Sequence, residues 1–173
     1  MKNIILTANG TQKADLVLKN ASIVNVFTES IEVGDVAITD GKIVGIGRYE
    51  GKIEKDMTGR FVCPGFIDGH IHLESSMVTP SEFARAVIAH GTTAVITDPH
   101  EIANVAGCDG ITYMMQATKD LPLDVFFMVP SCVPATDLDE SGACLNADDI
   151  TPFYNDRRLS LIHISEPTRR SYI

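Results

Sequence analysis

Several classes of protein are excluded by what this sequence has little of. Lysine and arginine number 14 against 23 aspartates and glutamates, which leaves a formal net charge of −9 over 173 residues. So acidic a chain is not suited to bind nucleic-acid backbones or anionic membrane surfaces. Long apolar runs are also missing, since none approaches the roughly 20 residues that cross a bilayer. We therefore expect a globular protein with neither nucleic acid nor membrane as a partner.

Cysteines are few and isolated, and the start of the chain carries no leader pattern. The cysteines show neither a CxxC pair nor the spacing of metal ligands; they are Cys63, Cys108, Cys132 and Cys144. Isolated cysteines of this kind are typical of reduced, mostly buried thiols. The first residues lack the apolar stretch and small-residue cleavage site of a secretory signal. Both observations predict a cytoplasmic protein.

The first sixty residues have the pattern of short antiparallel strands. The candidate strands are rich in β-branched residues and cover 16–18, 23–26, 36–39 and 42–46. We predict a turn at 19–22, between the first two strands. The dipeptide Asp40-Gly41 separates the last two, and Asp-Gly in that position favours a hairpin because a type I′ turn needs a positive φ at both central residues. This region is predicted to be a small antiparallel β unit.

After residue 60 the pattern changes to buried strands that alternate with helices. We predict strands over 61–68, 92–97 and 124–129, and helices over 79–91 and 110–119. The first helix has clear end signals, with Thr79 as N-cap, Pro80 at the first helical position and Gly91 at its stop. Such alternation predicts a parallel sheet, either doubly wound or the opening units of a (β/α)₈ barrel. A complete large barrel needs about 250 residues, more than this chain has.

Two histidines at the end of the first buried strand are the strongest candidates for metal ligands. His70 and His72 are two residues apart, a spacing that points both imidazoles to the same side of a strand. Neutral imidazole is a common ligand for Zn²⁺, Mn²⁺ and Fe²⁺. Because the pair follows an apolar strand and the dipeptide Asp68-Gly69, we interpret it as a ligand pair rather than as two surface histidines.

Four sequence strings resemble those of the amidohydrolase superfamily, and within it the adenine deaminase family. They are PGFIDGHIH at 64–72, HLESSM at 72–77, DPHEIANV at 98–105 and PSCVPA at 130–135. The first is shared across the superfamily, whereas HLESSM and DPHEIANV are more specific. The resemblance covers about residues 14–158. It implies a small β-sandwich beside a metal-dependent (β/α)₈ barrel, a binuclear centre of divalent metal, commonly Mn²⁺ or Fe²⁺, and hydrolytic deamination of adenine to hypoxanthine and ammonia. It also implies that the intact protein is a homo-oligomer.

Further polar residues near the ends of the first two buried strands are candidates for metal binding, substrate contact or support of a ligand. They are Asp68, Glu74, Ser75, Asp98, His100 and Glu101. The alternative for Asp98 is an Asp-Pro turn, with His100 and Glu101 capping the next segment. Asp68 either supports His70 or caps the end of the strand. We identify no catalytic residue, because the family takes a bridging carboxylate and further ligands from later strands.

The interpretation divides the chain into three parts. Residues 1–60 are predicted to be part of a β-sandwich, and residues 61–158 the first three β/α units of the barrel. Residues 159–173 interrupt the alternation of strands and helices, and they resemble the translation of a sequencing adapter. We therefore expect them to lie outside the native fold. The chain is predicted to be the N-terminal part of a longer enzyme and to be inactive by itself.

Two other functions remain open from the sequence. A related amidohydrolase that acts on a cyclic amide, of the dihydroorotase or hydantoinase type, shares the histidine pair. A non-catalytic metal-binding module would also carry it. Substrate assays on the intact protein separate the first alternative from adenine deamination, and the presence or absence of ligands on later strands tests the second.

Overall fold

The structure is a computed structural model that describes residues 1–130, 132–136 and 138–162. Within these residues the chain divides into two compact units, the first from Met1 to Pro64 and the second from Gly65 onward. Most of the predicted tail, residues 163–173, lies outside the described residues. No described helix is long and apolar enough to span a bilayer.

The first unit is a five-stranded sheet with one short helix. Its elements are α1 (Lys2–Ala8), β1 (Ala14–Asn25), β2 (Ser30–Thr39), β3 (Lys42–Gly47), β4 (Gly51–Asp56) and β5 (Phe61–Val62). The strand order is β3-β2-β1-β4, and β5 also pairs with β1. The pairs β1-β2 and β2-β3 are antiparallel, as predicted. The strands β4 and β5 run parallel to β1, so the prediction of a wholly antiparallel unit is wrong.

One predicted turn of this unit is confirmed and another is wrong. Thr39 pairs with Lys42 around Asp40 (φ 51°) and Gly41 (φ 70°), which is the two-residue loop that the Asp-Gly dipeptide predicts. The turn predicted at 19–22 is instead an irregularity within the continuous strand β1, where Asn20 has a φ of 58°. A β-bulge accommodates such a residue without ending the strand, which explains the turn-like sequence.

A partly buried ion pair stabilises this irregularity. The carboxylate of Asp35 on β2 accepts hydrogen bonds from Lys19 Nζ, from Asn20 N at 3.1 Å and from Tyr49 N at 3.2 Å. Burial raises the pKa of Asp35, but these three hydrogen bonds outweigh it and leave the pKa below the ordinary 3.8. The bulge, the second strand and the loop after β3 therefore meet at one ionised group.

We expect the stability of the protein to depend on the ionisation of Asp35. Because its folded pKa lies below the unfolded value of 3.8, the ion pair contributes stability above that pH and loses it as the pH falls through the folded pKa. Denaturant midpoints of wild type and Asp35→Asn, measured from pH 6 to pH 2, should converge at the acid end. The variant Glu29→Gln, which removes an exposed carboxyl of the same unit, should follow the wild-type curve. A constant offset between Asp35→Asn and wild type would contradict the expectation.

The second unit is a parallel sheet with helices between its strands. Its elements are β6 (Phe66–Ile71), a 3₁₀ turn (Glu74–Ser76), α2 (Pro80–Ile88), β7 (Thr92–Thr97), α3 (His100–Ala117), β8 (Asp124–Val129), α4 (Ala147–Ile150), a second 3₁₀ turn (Thr151–Asn155) and β9 (Leu159–Ile162). The strands are parallel and pair in chain order, β6-β7-β8-β9. A doubly wound sheet reverses its strand order at a switch point, and the described strands contain no such reversal. The predicted alternation of parallel strands and helices is confirmed.

The predicted element bounds are accurate where the end signals are local. Strands β7 and β8 have the predicted bounds, and Thr79 caps α2, its Oγ1 accepting from Glu82 N at 3.5 Å. The strand predicted over 61–68 is wrong, because it is interrupted at Pro64: Phe61–Val62 pair with β1, and β6 begins at Phe66. Proline cannot donate to the ladder, which explains the interruption.

Helix α3 begins ten residues earlier than predicted. It starts at His100, directly after Pro99, and it contains the non-helical residue Gly107, with φ 59° and ψ −141°. Gly107 and Gly110 have low helix propensity, which explains why the sequence does not predict the first turns of this helix. The loop 141–145 packs at this kink, where Gly142 N donates to Asn104 O at 2.8 Å. The kink is therefore stabilised by tertiary contact rather than by local propensity.

The start of the predicted tail belongs to the sheet. Leu159–Ile162 form β9 and pair in parallel with β8, with Phe127 opposite Leu159 and Val129 opposite Ile162. The expectation that the fold excludes these four residues is wrong for the structure. A short apolar segment pairs readily with the unpaired N–H and C=O groups of a strand edge. The adapter-like origin of the tail stays a prediction.

The core of the second unit lies between the sheet and its helices. Its buried side chains come from β7, β8, α2, α3 and the loops beside them; they are Leu73, Phe83, Ala84, Val95, Ala103, Ile111, Met114, Met115, Leu123, Val125, Phe127 and Val133. Phe83 of α2 and Met114 and Met115 of α3 are among them, and they lie on the sides of their helices that face the core. The prediction that the cysteines are mostly buried is wrong, since Cys63 and Cys144 are exposed and Cys108 and Cys132 are half-buried.

Candidate metal centre

Two adjacent parallel strands end at the same edge of the sheet, and polar side chains follow both. His72 is the first residue after β6, and Asp98 is the first residue after β7. His70 lies within β6, where the pairing with β7 shifts register between Asp68 and Ile71. A shift of this kind re-aims side chains at the end of a strand. The carboxyl ends of parallel strands are where such folds bind their ligands.

The structure brings three of the predicted site residues together. The side-chain donor atoms of His70, His72 and Asp98 all lie within 4.8 Å of one another. The Nε2 atoms of the two histidines are 3.3 Å apart, and their rings are inclined at 64°. The two imidazoles therefore face a common point, as their spacing on the strand predicts.

A backbone contact determines which nitrogen of His72 is available to a ligand. His72 Nδ1 lies 2.8 Å from the carbonyl oxygen of Asp98. Because a carbonyl only accepts, Nδ1 must carry the proton and donate it. In the neutral ring the lone pair is then on Nε2, the atom that faces His70. Metal-bound histidines are commonly held in this way by a backbone or carboxylate acceptor.

Asp98 places a carboxylate inside the unit rather than on its surface. The residue is 0% exposed, and its backbone N–H donates to Ile71 O at 2.9 Å. His100 Nδ1 lies 3.9 Å from Asp98 Oδ2, and His100 is in the first turn of α3. A buried carboxylate is costly unless a cation or several hydrogen bonds compensate its charge. The burial of this carboxylate beside two imidazoles therefore favours a cluster that binds a cation.

The remaining candidates lie outside the cluster of three. Asp68 Oδ1 accepts from the backbone N–H of His70 at 3.1 Å. Glu74 Oε1 accepts from the backbone N–H groups of Glu101 and Ile102, and Ser75 Oγ donates to the Glu101 carboxylate. Glu74, Ser75 and Glu101 therefore connect the turn after β6 to the start of α3.

The cluster fits a divalent cation. Metal–nitrogen bonds of about 2.1 Å that meet at tetrahedral or right angles place their nitrogens about 3.0–3.4 Å apart, and the two Nε2 atoms are 3.3 Å apart. Two imidazoles and one carboxylate are also a donor set that Mn²⁺, Fe²⁺ and Zn²⁺ accept. Among the described residues, His70, His72 and Asp98 are therefore a group that could hold a metal ion.

The role of Glu74 at the start of α3 is not predicted from the sequence. The sequence makes Glu74 a candidate for the metal or the substrate, whereas the structure places it at the N-terminus of α3. A signal for this is present in the sequence, because Pro99 precedes the helix and has no side-chain acceptor with which to cap it. An uncapped helix start needs an acceptor from elsewhere in the fold.

Comparison with known proteins places these features in a family. Residues 61–168 match the family model described as the amidohydrolase family. The curated adenine deaminase of Geobacillus kaustophilus is 58% identical over 159 residues, which are 92% of this chain and 28% of that protein. The adenine deaminase of Clostridium acetobutylicum is 59% identical over 152 residues, 88% of this chain and 27% of that protein.

A solved structure shows the same arrangement of elements. The D-hydantoinase (dihydropyrimidinase) of Thermus sp. superposes with a TM-score of 0.53 and 25% sequence identity, over 66% of this chain and 27% of that chain. This chain spans a little over a quarter of the length of the curated relatives given above.

Proposed function

The chain belongs to the amidohydrolase family, and on that premise we propose that the whole protein hydrolyses adenine to hypoxanthine and ammonia. The observation that carries the proposal is the identity of 58% to a curated adenine deaminase over 92% of this chain. The cluster of His70, His72 and Asp98 supports it, because it offers the donor set that a metal-dependent hydrolase needs.

We propose that the second unit forms the first β/α units of a (β/α)₈ barrel and that the first unit is part of a small β-sandwich. The unreversed order of parallel strands supports the barrel, since each described strand lies beside the next in the chain. The position of His72 and Asp98 after consecutive strands supports it too, because barrel enzymes carry their active sites at the carboxyl ends of the strands.

The proposed reaction replaces the exocyclic amino group of adenine by oxygen. A bond forms between a water oxygen and C6 of the purine, and the bond from C6 to the amino nitrogen breaks, with a proton delivered to the departing ammonia. Neutral water is a poor nucleophile for this carbon. When bound, a divalent cation, which we propose to be Mn²⁺ or Fe²⁺ in a binuclear centre, would supply Lewis acidity that lowers the pKa of water towards neutrality.

Residues of this chain are proposed to bind the cation and to border the substrate. The Nε2 atoms of His70 and His72 are adjacent, and the hydrogen bond from His72 Nδ1 to the Asp98 carbonyl orients the His72 ring. Asp98 contributes negative charge from a buried position. We propose that His100 and Glu101, on the first turn of α3, border the substrate at the same edge of the sheet.

Further proposals concern the compartment, the oligomeric state and the partners of the enzyme. We propose that it works in the cytoplasm, which the isolated cysteines support. We also propose that the whole protein is a homo-oligomer, which follows from the family resemblance alone. Adenine and water are the proposed small-molecule partners.

Ammonia release by the whole protein tests the proposed substrate. With Mn²⁺ present, we expect adenine to release ammonia, whereas dihydroorotate and hydantoin should show no ring opening. These cyclic amides are assayed because the chain is similar in structure to a D-hydantoinase. Turnover of a cyclic amide without turnover of adenine would contradict the proposal. The 173-residue chain alone should release no ammonia, because it supplies only one described cluster of three ligands.

A further inference from the structure

Glu74 connects the two segments that carry the candidate metal ligands. It lies two residues after His72, in the 3₁₀ turn that follows β6. Its Oε1 atom accepts from Glu101 N at 3.0 Å and from Ile102 N at 3.1 Å, both in the first turn of α3. The second segment begins with Asp98, two residues before that helix. One carboxylate therefore bridges from the histidine segment to the aspartate segment.

The Glu74 carboxylate supplies the cap that the N-cap residue of α3 cannot provide. The N-cap position is Pro99, which has no side-chain acceptor and makes no capping hydrogen bond. The first N–H groups of a helix have no partner within the helix, and the positive end of the helix dipole favours a negative group. Glu74 satisfies two of these N–H groups from a different part of the fold.

The placement of Glu74 has an energetic cost. Its second carboxylate oxygen, Oε2, is buried and has no hydrogen-bond partner among the described residues. An unsatisfied buried acceptor costs free energy. The two hydrogen bonds that Oε1 accepts from the start of α3 offset this cost.

Other contacts between the two segments involve the candidate ligands themselves. His72 Nδ1 donates to Asp98 O, and Asp98 N donates to Ile71 O at 2.9 Å. Glu74 differs because its side chain lies outside the cluster of three donors, yet it anchors the helix start that follows Asp98. Its removal would free that helix start while leaving every ligand in the chain.

We propose that Glu74 is a positioning residue of the metal centre, which caps α3 and thereby holds Asp98 at the distance from His70 and His72 that a cation requires. The inference rests on the metal site of the proposed function and not on its substrate. It predicts a specific pattern of metal affinity among variants that keep all three ligands.

The test compares two cap removals in the whole protein. Glu74→Ala deletes the acceptor of two helix N–H groups beside the site. The matched control Asn146→Ala does the same at α4, where Asn146 Oδ1 accepts from Asp148 N and Asp149 N. Dissociation constants for Mn²⁺ are measured by chelator competition on metal-free protein, together with the visible spectrum of the Co²⁺ form. We expect Glu74→Ala to bind Mn²⁺ about 10–100-fold more weakly, with an altered Co²⁺ spectrum, and Asn146→Ala to match wild type.

The variant Glu74→Gln separates positioning from direct binding. Its amide carbonyl oxygen keeps the acceptor for the helix N–H groups, so its Mn²⁺ affinity should return towards that of wild type. Wild-type affinity in Glu74→Ala, an equal loss in Asn146→Ala, or a Glu74→Gln variant as weak as Glu74→Ala would each overturn the inference. A wild-type protein that binds Mn²⁺ but releases no ammonia from adenine would contradict the proposed substrate and leave the role of Glu74 standing.

Discussion

Replacing both His70 and His72 by alanine is expected to abolish metal binding and ammonia release in the whole protein. The two Nε2 atoms, 3.3 Å apart, supply two of the three donors in the described cluster. Loss of a partner that only supports a ligand already costs about 10–100-fold in metal affinity, so loss of two ligands should exceed that range. Metal content after dialysis and ammonia release from adenine are the two measurements.

A histidine at the other edge of the sheet provides the control for this experiment. His90 is exposed and lies just before β7 begins, whereas the cluster follows the end of β6 and β7. His90→Ala should keep the metal content and turnover of wild type. Full metal occupancy in the double variant would contradict the assignment of the site, and full turnover without metal would contradict the proposed chemistry.

Replacing Asp98 by asparagine should separate metal affinity from the stability of the metal-free protein. The substitution keeps nearly the shape of the side chain but removes its charge, and Asp98 is 0% exposed. We expect the affinity for Mn²⁺ to fall by more than about 100-fold, beyond the range for a residue that only supports a ligand. The metal-free variant should keep about the stability of wild type, because the nearly isosteric asparagine leaves no cavity.

The two outcomes for Asp98 are measured by chelator competition and by denaturant unfolding of metal-free protein. Asp124→Asn is the matched control, since Asp124 is exposed at the start of β8, the opposite edge of the sheet. It should change neither quantity. Unaltered metal affinity in Asp98→Asn would show that the carboxylate is not a ligand, and a large loss of stability would show that its role is structural.

Contacts around the candidate site join consecutive β/α units. Each unit supplies part of the donor set, His70 and His72 from the first and Asp98 from the second. The contact of His72 with the Asp98 carbonyl and the cap that Glu74 gives to α3 join these units. A variant that disturbs the start of α3 is therefore expected to act on metal binding even when it touches no ligand.

Local patterns are sufficient for much of the fold. The Asp40-Gly41 hairpin, the bounds of β7 and β8 and the Thr79 cap follow from residues adjacent in the chain. These features are predictable because backbone preference and hydropathy period act over a few residues. The bulge in β1 and the kink at Gly107 are not predictable in this way, since each depends on a partner distant in sequence, Asp35 for the bulge and Gly142 for the kinked helix.

The sequence by itself determined the family resemblance, the parallel β/α pattern and the spacing that directs two imidazoles to one side of a strand. Only the tertiary structure decided that Asp98 joins them and that Glu74 instead caps α3. The physical reason is that ligand spacing within one strand is fixed by the two-residue period of extended backbone. The approach of Asp98 depends instead on the register between β6 and β7 and on where α3 begins, which long-range packing sets.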